Sequence, residues 1–309
     1  MAAVSSCVPA RLLSVLPQRE RNMVWNTLIP VSALAEHLAD PAWSVIDCRF
    51  DLTDGEAGRR AYAMAHIPGA HYAHLEEDLS GPTTAHSGRH PLPDASAFMH
   101  WLARQGIGNA SQVVAYDAGP GAIAARLWWL LRWLGHNAVA VLDGGFLAWQ
   151  ALGYPISRNR PLLRSADFQG RAGAMPTIDT DTLARERTRY RIIDARVVER
   201  FRGDVEPIDP VAGHVPGAYN RPFPDNLGSD GRFLDPHSLR AAWSELLPTG
   251  GAAGLVAMCG SGVTACHHVL ALEHIGWPGM RLYPGSWSEW IRDPVRPVAR
   301  GNAAADPLA

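Results

Sequence analysis

One cysteine is set apart by the residues that surround it. Cys259 follows the apolar run Leu255–Met258 and precedes the turn Gly-Ser-Gly-Val-Thr, which leads into a helical pattern over 265–272. In an open α/β sheet, ligands bind beyond the carboxyl ends of the strands, where loop N–H groups and the start of the next helix favour an anion. Gly260 and Gly262 permit the backbone angles and close approach that such a loop needs. The pattern predicts that Cys259 is a nucleophile that reacts as its thiolate.

The remaining loop residues limit which chemistry fits. Ser261 and Thr264 add hydroxyl donors, and Val263 lies between them. A cysteine phosphatase or arsenate reductase needs a longer loop that an arginine closes, and residues 260–266 contain none, so we reject that class. The chain also has no Cys-x-x-Cys pair, so the sequence predicts no metal site and no cofactor.

Length and composition favour a globular protein of two domains. The chain has 309 residues, 47% hydrophobic and 19% charged, with a net charge of −2. This balance predicts neither a nucleic-acid partner nor an anionic membrane surface. Four irregularly spaced cysteines do not make a disulfide framework, which favours a reducing compartment, the cytoplasm. The longest apolar stretches are too short to span a bilayer, so we expect a soluble protein.

The sequence repeats itself once. Four segments of the first half return in the same order in the second half, at a nearly constant, domain-sized separation. They pair Val-Ile-Asp-Cys-Arg at 45–49 with 192–196, Ala-His-Ile-Pro-Gly-Ala at 65–70 with 213–218, Val-Val-Ala-Tyr-Asp at 113–117 with 255–259, and Asp-Gly-Gly-Phe-Leu-Ala-Trp at 143–149 with 284–290. Asp117 stands where Cys259 stands, so we expect one catalytic and one inactive copy.

Each copy shows alternating strand and helix patterns. Short apolar runs typical of buried parallel strands occupy 44–47, 112–116, 139–142, 190–194, 254–258 and 280–283. Helical patterns include 30–38, which Ser32 could cap, and 122–134. The predicted fold class is α/β, with two domains that each have a central parallel sheet flanked by helices.

Domain boundaries follow from the same patterns. We expect an inactive domain over 24–156, a linker over 157–175 and a catalytic domain over 176–300. Residues 1–23 are interpreted as a disordered extension or as the product of a start upstream of Met23. Because the stretch contains three arginines and only one acidic residue, a targeting segment is the alternative.

The two halves resemble tandem rhodanese domains over about residues 24 to 300. Cys-Gly-Ser-Gly-Val-Thr at 259–264 resembles the active loop of 3-mercaptopyruvate sulfurtransferases, and His-Val-Pro-Gly-Ala at 214–218 and Gly-Ser-Trp-Ser-Glu-Trp at 285–290 resemble two further family blocks. The resemblance implies that Cys259 takes sulfane sulfur from a small anionic donor and carries it as a persulfide. The acceptor would be cyanide or a thiol, such as that of a thioredoxin-like protein.

The resemblance also implies a set of donor-binding residues. Arg200 lies six residues after Asp194 and matches the family's substrate-binding arginine, and loop residues 260–264 would contact the same donor. Asp194 matches an aspartate that orients this region, although at a strand end it could equally be a capping group. Arg202 is a weaker candidate.

Two departures from the family pattern leave the donor open. Mercaptopyruvate enzymes carry a second arginine in a Glu-Pro-Arg run, but this chain has Ile208 at that place, so thiosulfate stays an alternative donor. Pro284 replaces a common aspartate, so the turn that follows is expected to differ. A relay module that carries sulfur without turnover is the alternative of another class.

The other candidate side chains are interpreted mainly as structural. His66 and His214 precede matching Pro-Gly turns, which indicates scaffold. His267, His268, Trp287, Trp290, Cys48 and Cys266 are expected in the core or on helix surfaces.

Overall fold

The fold is given by a computed structural model that describes residues 24–162 and 165–302. The prediction for residues 1–23 lies outside the described residues. Among those described, no helix has the length and apolar character needed to cross a membrane.

The first domain is built on five parallel strands. They are β1 (Leu28–Ile29), β2 (Trp43–Asp47), β3 (His71–Tyr72), β4 (Gln112–Tyr116) and β5 (Val139–Leu142), in the order β1-β5-β4-β2-β3. Five helices accompany them: α1 (Val31–His37), α2 (Ala57–Met64), α3 (Ala95–Arg104), α4 (Ala124–Trp133) and α5 (Gly145–Ala151).

The second domain repeats this arrangement. Its strands are β6 (Arg191–Asp194), β7 (Tyr219–Asn220), β8 (Leu255–Met258) and β9 (Arg281–Leu282), parallel in the order β7-β6-β8-β9. Its helices are α6 (Thr180–Glu186), α7 (Val198–Arg202), α8 (Pro236–Ser244), α9 (Ala265–His274) and α10 (Ser286–Trp290). Thr177 forms a parallel bridge with Leu282 at the place that β1 holds in the first sheet. The predicted fold class is confirmed.

Strand positions follow the apolar runs closely. All five residues of β4 are buried, as expected for a central parallel strand covered on both faces. The bounds of β4 and β5 are those predicted, and the other predicted strands agree to within one residue at each end. The predicted Ser32 cap is wrong, because α1 begins at Val31 and its N-cap is Pro30 with no side-chain hydrogen bond.

The segment predicted as a linker packs against the first domain where the structure describes it. Ser157 pairs with His66 through two backbone hydrogen bonds of 2.8 and 2.9 Å. Further on, Phe168 and Met175 are buried. The described parts of this connection therefore form a strap along the first domain.

The two domains share one apolar core. Helix α4 packs against α9, and a single cluster of buried side chains includes Leu127, Leu131, Val269 and Leu270 from these helices. These helices follow the equivalent strands β4 and β8, so the loops before them meet at the domain interface. The strand end that carries Cys259 is thus closed over by the other domain.

Candidate active site

Cys259 lies directly after β8 at the base of a cavity of about 210 Å3. Its backbone N–H donates to Ser286 Oγ at 3.0 Å, and its carbonyl accepts from the Trp287 N–H at 3.0 Å. Ser286 has a φ of 52°, a left-handed conformation that is rare for a residue with a side chain. The start of α10 thus fixes the backbone of Cys259, whose residue is only 2% exposed.

The loop after Cys259 presents backbone donors without acceptors. Within the described part of the chain, the N–H groups of residues 260–265 donate no hydrogen bond. Gly260, Ser261, Val263 and Thr264 line the cavity. Gly262 does not, and with a φ of 77° it lies so close to Pro284 that a β-carbon would be 2.2 Å from the proline carbonyl oxygen. Free amide groups of successive loop residues are able to bind an anion, and these groups are here called the amide cradle of residues 260–265.

The equivalent loop of the first domain carries its own anion. The Asp117 carboxylate accepts four N–H bonds of 2.9 to 3.2 Å from its loop and the start of α4. The donors are Gly119, Gly121, Ile123 and Ala124. Burial raises the pKa of Asp117, and the four N–H bonds act against that rise. In the first domain the loop N–H groups therefore donate to a carboxylate of the same domain. In the second domain the equivalent N–H groups have no acceptor among the described residues.

Arg200 reaches the cavity from the end of α7. Its guanidinium donates to Glu206 at 2.7 Å and to Asp209 at 3.1 Å, and both carboxylates are buried. It lies close to the loop, because a β-carbon at Gly260 would be in van der Waals contact with it, 3.6 Å from Arg200 Nη1. Arg200 is thus held rigidly at the cavity wall, whereas Arg202, the weaker candidate, is exposed.

Asp194 does not contact the cavity, contrary to its inclusion among the donor-binding residues. Both of its carboxylate oxygens are taken by Arg196, at 2.7 to 3.1 Å, and the pair is almost fully buried. Asp47 and Arg49 form the same pair in the first domain. Because a domain without the cysteine keeps it, this pair belongs to the scaffold, and Asp194 acts on the cavity only by placing Arg196 in its wall.

The first domain contributes cavity residues that the sequence analysis missed. Leu52, Ile123 and Arg89 line the cavity together with the loop. Arg89 pairs with Asp209, and a β-carbon at Gly260 would lie 3.0 Å from Arg89 Nη2. No local pattern marks Arg89, because its partner Asp209 lies 120 residues away in sequence.

Three arginines therefore face the cavity, and their acidic partners do not. Arg89, Arg196 and Arg200 are lining residues, whereas Asp194, Glu206 and Asp209 lie behind them. Burial raises the pKa of Asp209, opposed by Arg89. For Glu206, burial raises the pKa, but the bonds from Arg200 and from backbone N–H groups outweigh burial and lower it. The wall of the cavity thus presents positive charge towards an anionic ligand.

A second missed group stands beside Ser261. His90 Nδ1 of the first domain lies 2.7 Å from Ser261 Oγ, and His90 Nε2 lies 3.7 Å from the exposed carboxylate of Glu76. Burial, together with Arg126 and Arg89, lowers the pKa of His90 to about 3. His90 is therefore neutral at physiological pH, and it fixes the Ser261 hydroxyl at the cavity wall.

The four histidines singled out in the sequence are structural. His66 stacks on Tyr62, and His214 stacks on Phe201, each in the same place of its domain. His267 and His268 are fully buried, and Asn226 bridges their Nδ1 atoms at 3.1 and 2.9 Å. Burial lowers the pKa of His267 to about 4 and that of His268 well below its ordinary value. Trp287, Trp290, Cys48 and Cys266 are buried as well, and none of them lines the cavity.

Comparison with known proteins agrees with this architecture. The rhodanese-like domain family matches residues 30–152 and 179–293. A probable 3-mercaptopyruvate sulfurtransferase of Pseudomonas aeruginosa is 52% identical over 279 residues, covering 89% of this chain and 98% of the relative. A putative thiosulfate sulfurtransferase of Mycobacterium tuberculosis is 41% identical, covering 90% and 98%. The solved 3-mercaptopyruvate sulfurtransferase from Leishmania major superposes with a TM-score of 0.78 at 31% identity, covering 87% of this chain and 76% of that one.

The chain has two domains with parallel sheets, and only the second has a cysteine at its amide cradle. This architecture and the relatives named above identify a tandem-domain transferase. The chain belongs to the rhodanese-like family, and it is an enzyme of the sulfurtransferase class.

Proposed function

We propose that this protein transfers the sulfane sulfur of 3-mercaptopyruvate to a thiol or cyanide through a persulfide on Cys259. The observation that carries the proposal is the position of the Cys259 thiol, at the base of a cavity lined by three arginines and beside the amide cradle of residues 260–265. The loop sequence and the Pseudomonas relative named above support this donor over others.

In the first half-reaction the Cys259 thiolate attacks the donor sulfur. The sulfur–carbon bond of 3-mercaptopyruvate breaks, its electron pair passes to the methylene carbon, and the proton of the donor thiol ends on that carbon, so that pyruvate leaves. Cys259 then holds a second sulfur as Cys–S–S⁻. Arg200 and Arg89 bind the donor carboxylate through charge-assisted hydrogen bonds, and the Ser261 hydroxyl, held by His90, orients the neighbouring carbonyl.

In the second half-reaction an acceptor removes the outer sulfur. Cyanide attacks the terminal sulfur, the S–S bond breaks, and thiocyanate and the Cys259 thiolate form. A thiol acceptor gives a persulfide on the acceptor in the same way, and we propose a thioredoxin-like protein as one such partner. The charge on the terminal sulfur is stabilised by the amide cradle, because unpaired N–H groups in a water-poor site stabilise an anion strongly. The two steps give ping-pong kinetics.

Thiosulfate is the second candidate donor. Ile208 stands where a second arginine would follow Glu206 and Pro207, and its aliphatic side chain has no donor to offer a carboxylate. Sulfite would then leave in place of pyruvate, with the same persulfide on Cys259. The Mycobacterium relative carries this name.

The compartment is proposed from the cysteines. Cys48, Cys259 and Cys266 are free thiols, and a persulfide carrier needs its thiol reduced. We place the protein in the cytoplasm, where thiols stay reduced, and expect neither nucleic acid nor a membrane surface as a partner.

The test compares kcat/KM for 3-mercaptopyruvate and thiosulfate with cyanide as acceptor, for the wild type and Cys259→Ser. We expect the wild type to turn over 3-mercaptopyruvate more efficiently and Cys259→Ser to fall to background. A higher efficiency with thiosulfate would move the assignment to the second donor. A single persulfide equivalent with no turnover would identify a sulfur relay module instead, and activity in Cys259→Ser would refute the persulfide altogether.

A further inference from the structure

A fourth arginine near the cradle, Arg126, does not line the cavity. It lies on α4 of the first domain, behind the loop, and is fully buried. Its guanidinium donates to four backbone carbonyls: Nε to Leu79 at 3.3 Å, Nη1 to Gly262 at 3.2 Å, and Nη2 to His90 and Pro91 at 3.2 Å each. It also interacts with the Cys266 side chain on α9. It thus ties the loop of the second domain to the segment of the first domain that carries His90.

The charge of Arg126 has no ionic partner among the described residues. Each cavity arginine is paired with a carboxylate, but Arg126 appears in no ion pair. Burying an unpaired charge is expensive, and a guanidinium does not lose its proton in a protein. Burial lowers the pKa of Arg126, and Cys266 and Cys259 act in the opposite direction. Since burial also raises the pKa of Cys266 to about 12, that thiol stays neutral, and among the described residues Cys259 is the other sulfur that acts on Arg126.

The bond to Gly262 also sets the direction of an amide group. In a planar trans peptide, the carbonyl and the following N–H point in opposite directions. Because Arg126 holds the Gly262 carbonyl on its own side, the N–H of Val263 points away from α4. Val263 lines the cavity, and its N–H has no acceptor in the part of the chain that the structure describes.

The partner helix makes a matching contact. His267 on α9 lies 2.9 Å, through Nε2, from the carbonyl of Pro120 in the loop of the first domain. Each helix therefore supports the loop of the other domain, but only the catalytic loop receives a positive charge.

We propose that Arg126 is a positioning residue of the catalytic loop: it aims the Val263 N–H into the amide cradle and supplies from behind the positive charge that the anionic sulfur on Cys259 requires. The domain that lost its cysteine would thus provide part of the electrostatics of the reaction. This inference rests on the proposed sulfur transfer through Cys259.

The experiment uses the full chain with Arg126→Gln and Arg126→Lys, and His267→Gln as the matched control at the reciprocal contact. Alkylation of Cys259 by iodoacetamide, a neutral reagent, is followed by peptide mass spectrometry at pH 7 and pH 9.5, and kcat and KM are measured with the preferred donor. Thermal unfolding reports stability for each variant.

For Arg126→Gln we expect alkylation about tenfold slower at pH 7, because the variant lacks the positive charge behind the loop that favours an anionic sulfur, and we expect a smaller difference at pH 9.5. We expect kcat to fall on the order of 100-fold, as for the loss of one oxyanion donor, while KM changes little because Arg126 does not line the cavity. Arg126→Lys keeps the charge but cannot reproduce four bonds to carbonyl groups, so it should recover the alkylation rate and only part of kcat.

His267→Gln should lower the melting temperature with wild-type alkylation and kcat. If Arg126→Gln changes only the melting temperature, as His267→Gln does, Arg126 is merely structural and the proposal falls. If Arg126→Gln does not fold, wild-type kcat in Arg126→Lys overturns the positioning role, and slow alkylation in Arg126→Lys overturns the role of its charge. Alkylation needs no sulfur donor, so it tests Arg126 even where the sulfur-transfer assay fails.

Discussion

Asp117 and Cys259 end equivalent strands, but only Asp117 satisfies the amide groups of the loop that follows it. The carboxylate of Asp117 accepts four N–H bonds, whereas the N–H groups after Cys259 are free of acceptors in the described chain. By analogy, the amide cradle of the second domain is suited to a negatively charged group on the side chain of the residue that ends the strand.

Replacing Cys259 with aspartate tests this relationship. We expect Cys259→Asp to be inactive but more stable at pH 7 than Cys259→Ala, because its carboxylate can accept from the cradle as Asp117 does. Denaturant unfolding at pH 7 and pH 3 measures the difference, which should shrink at pH 3 as the carboxylate is protonated. Equal stability of the two variants at both pH values would argue against an anion-binding loop.

Removing the carboxylate of Asp117 should destabilise the protein. Asp117→Ala leaves four buried N–H groups without acceptors, and we expect a loss of about 3 kcal/mol in the free energy of unfolding. Chemical denaturation checks this, with Asp51→Ala, an exposed residue, as the control. A loss as small as that of the control would mean that water satisfies these groups.

The cavity arginines are expected to govern donor binding. Arg200→Met and Arg89→Met should each raise KM for the donor about tenfold to a hundredfold, because a hydrogen bond to a charged group contributes about 1.5–3 kcal/mol. Arg202→Met, an exposed arginine on the same helix as Arg200, should leave KM unchanged. If Arg89→Met behaves like Arg202→Met, the first domain does not take part in donor binding.

Acid should weaken the fold through the two buried histidines that Asn226 bridges. Burial lowers the pKa of His267 to about 4 and lowers that of His268 well below its ordinary value, whereas an unfolded histidine titrates near 6.5. The contribution of the neutral histidines to the free energy of unfolding is therefore complete above about pH 6.5. As the pH falls from there towards 4, the free energy of unfolding decreases by about 1.4 kcal/mol per pH unit for each histidine, because the unfolded state binds a proton that the folded state does not.

Unfolding free energies between pH 7 and pH 4.5 measure this effect. His267→Gln should reduce the slope by the share of one histidine, and His237→Gln, at an exposed position, should not change it. A slope in His267→Gln equal to that of the wild type would show that His267 takes no part in the acid sensitivity.

The parts of the molecule that could be predicted from the sequence are those that one local stretch of chain determines. The apolar runs before Asp117 and Cys259 predicted β4 and β8, because a parallel strand buried on both faces has no polar alternation. The glycine-rich turn after Cys259 predicted a loop of free amide groups, because that loop and the start of the next helix follow Cys259 within a few residues.

Contacts across the domain interface could not be predicted in this way. Arg89, His90 and Arg126 all reach the second domain from positions more than a hundred residues before their partners. Asp194 was assigned to the donor site because it matches an aspartate of the resembling family, but the residue two places later, Arg196, takes both of its oxygens. Which neighbour a buried carboxylate selects depends on side-chain packing, which one sequence does not reveal.

The strap and the shared core hold the first domain, which has no cysteine nucleophile, against the cavity of the second domain. Since Arg89 enters the cavity from this copy, a substitution there can alter which donor is preferred while the loop of residues 260–264 stays intact. A change of donor preference can therefore come from the domain that carries no nucleophile.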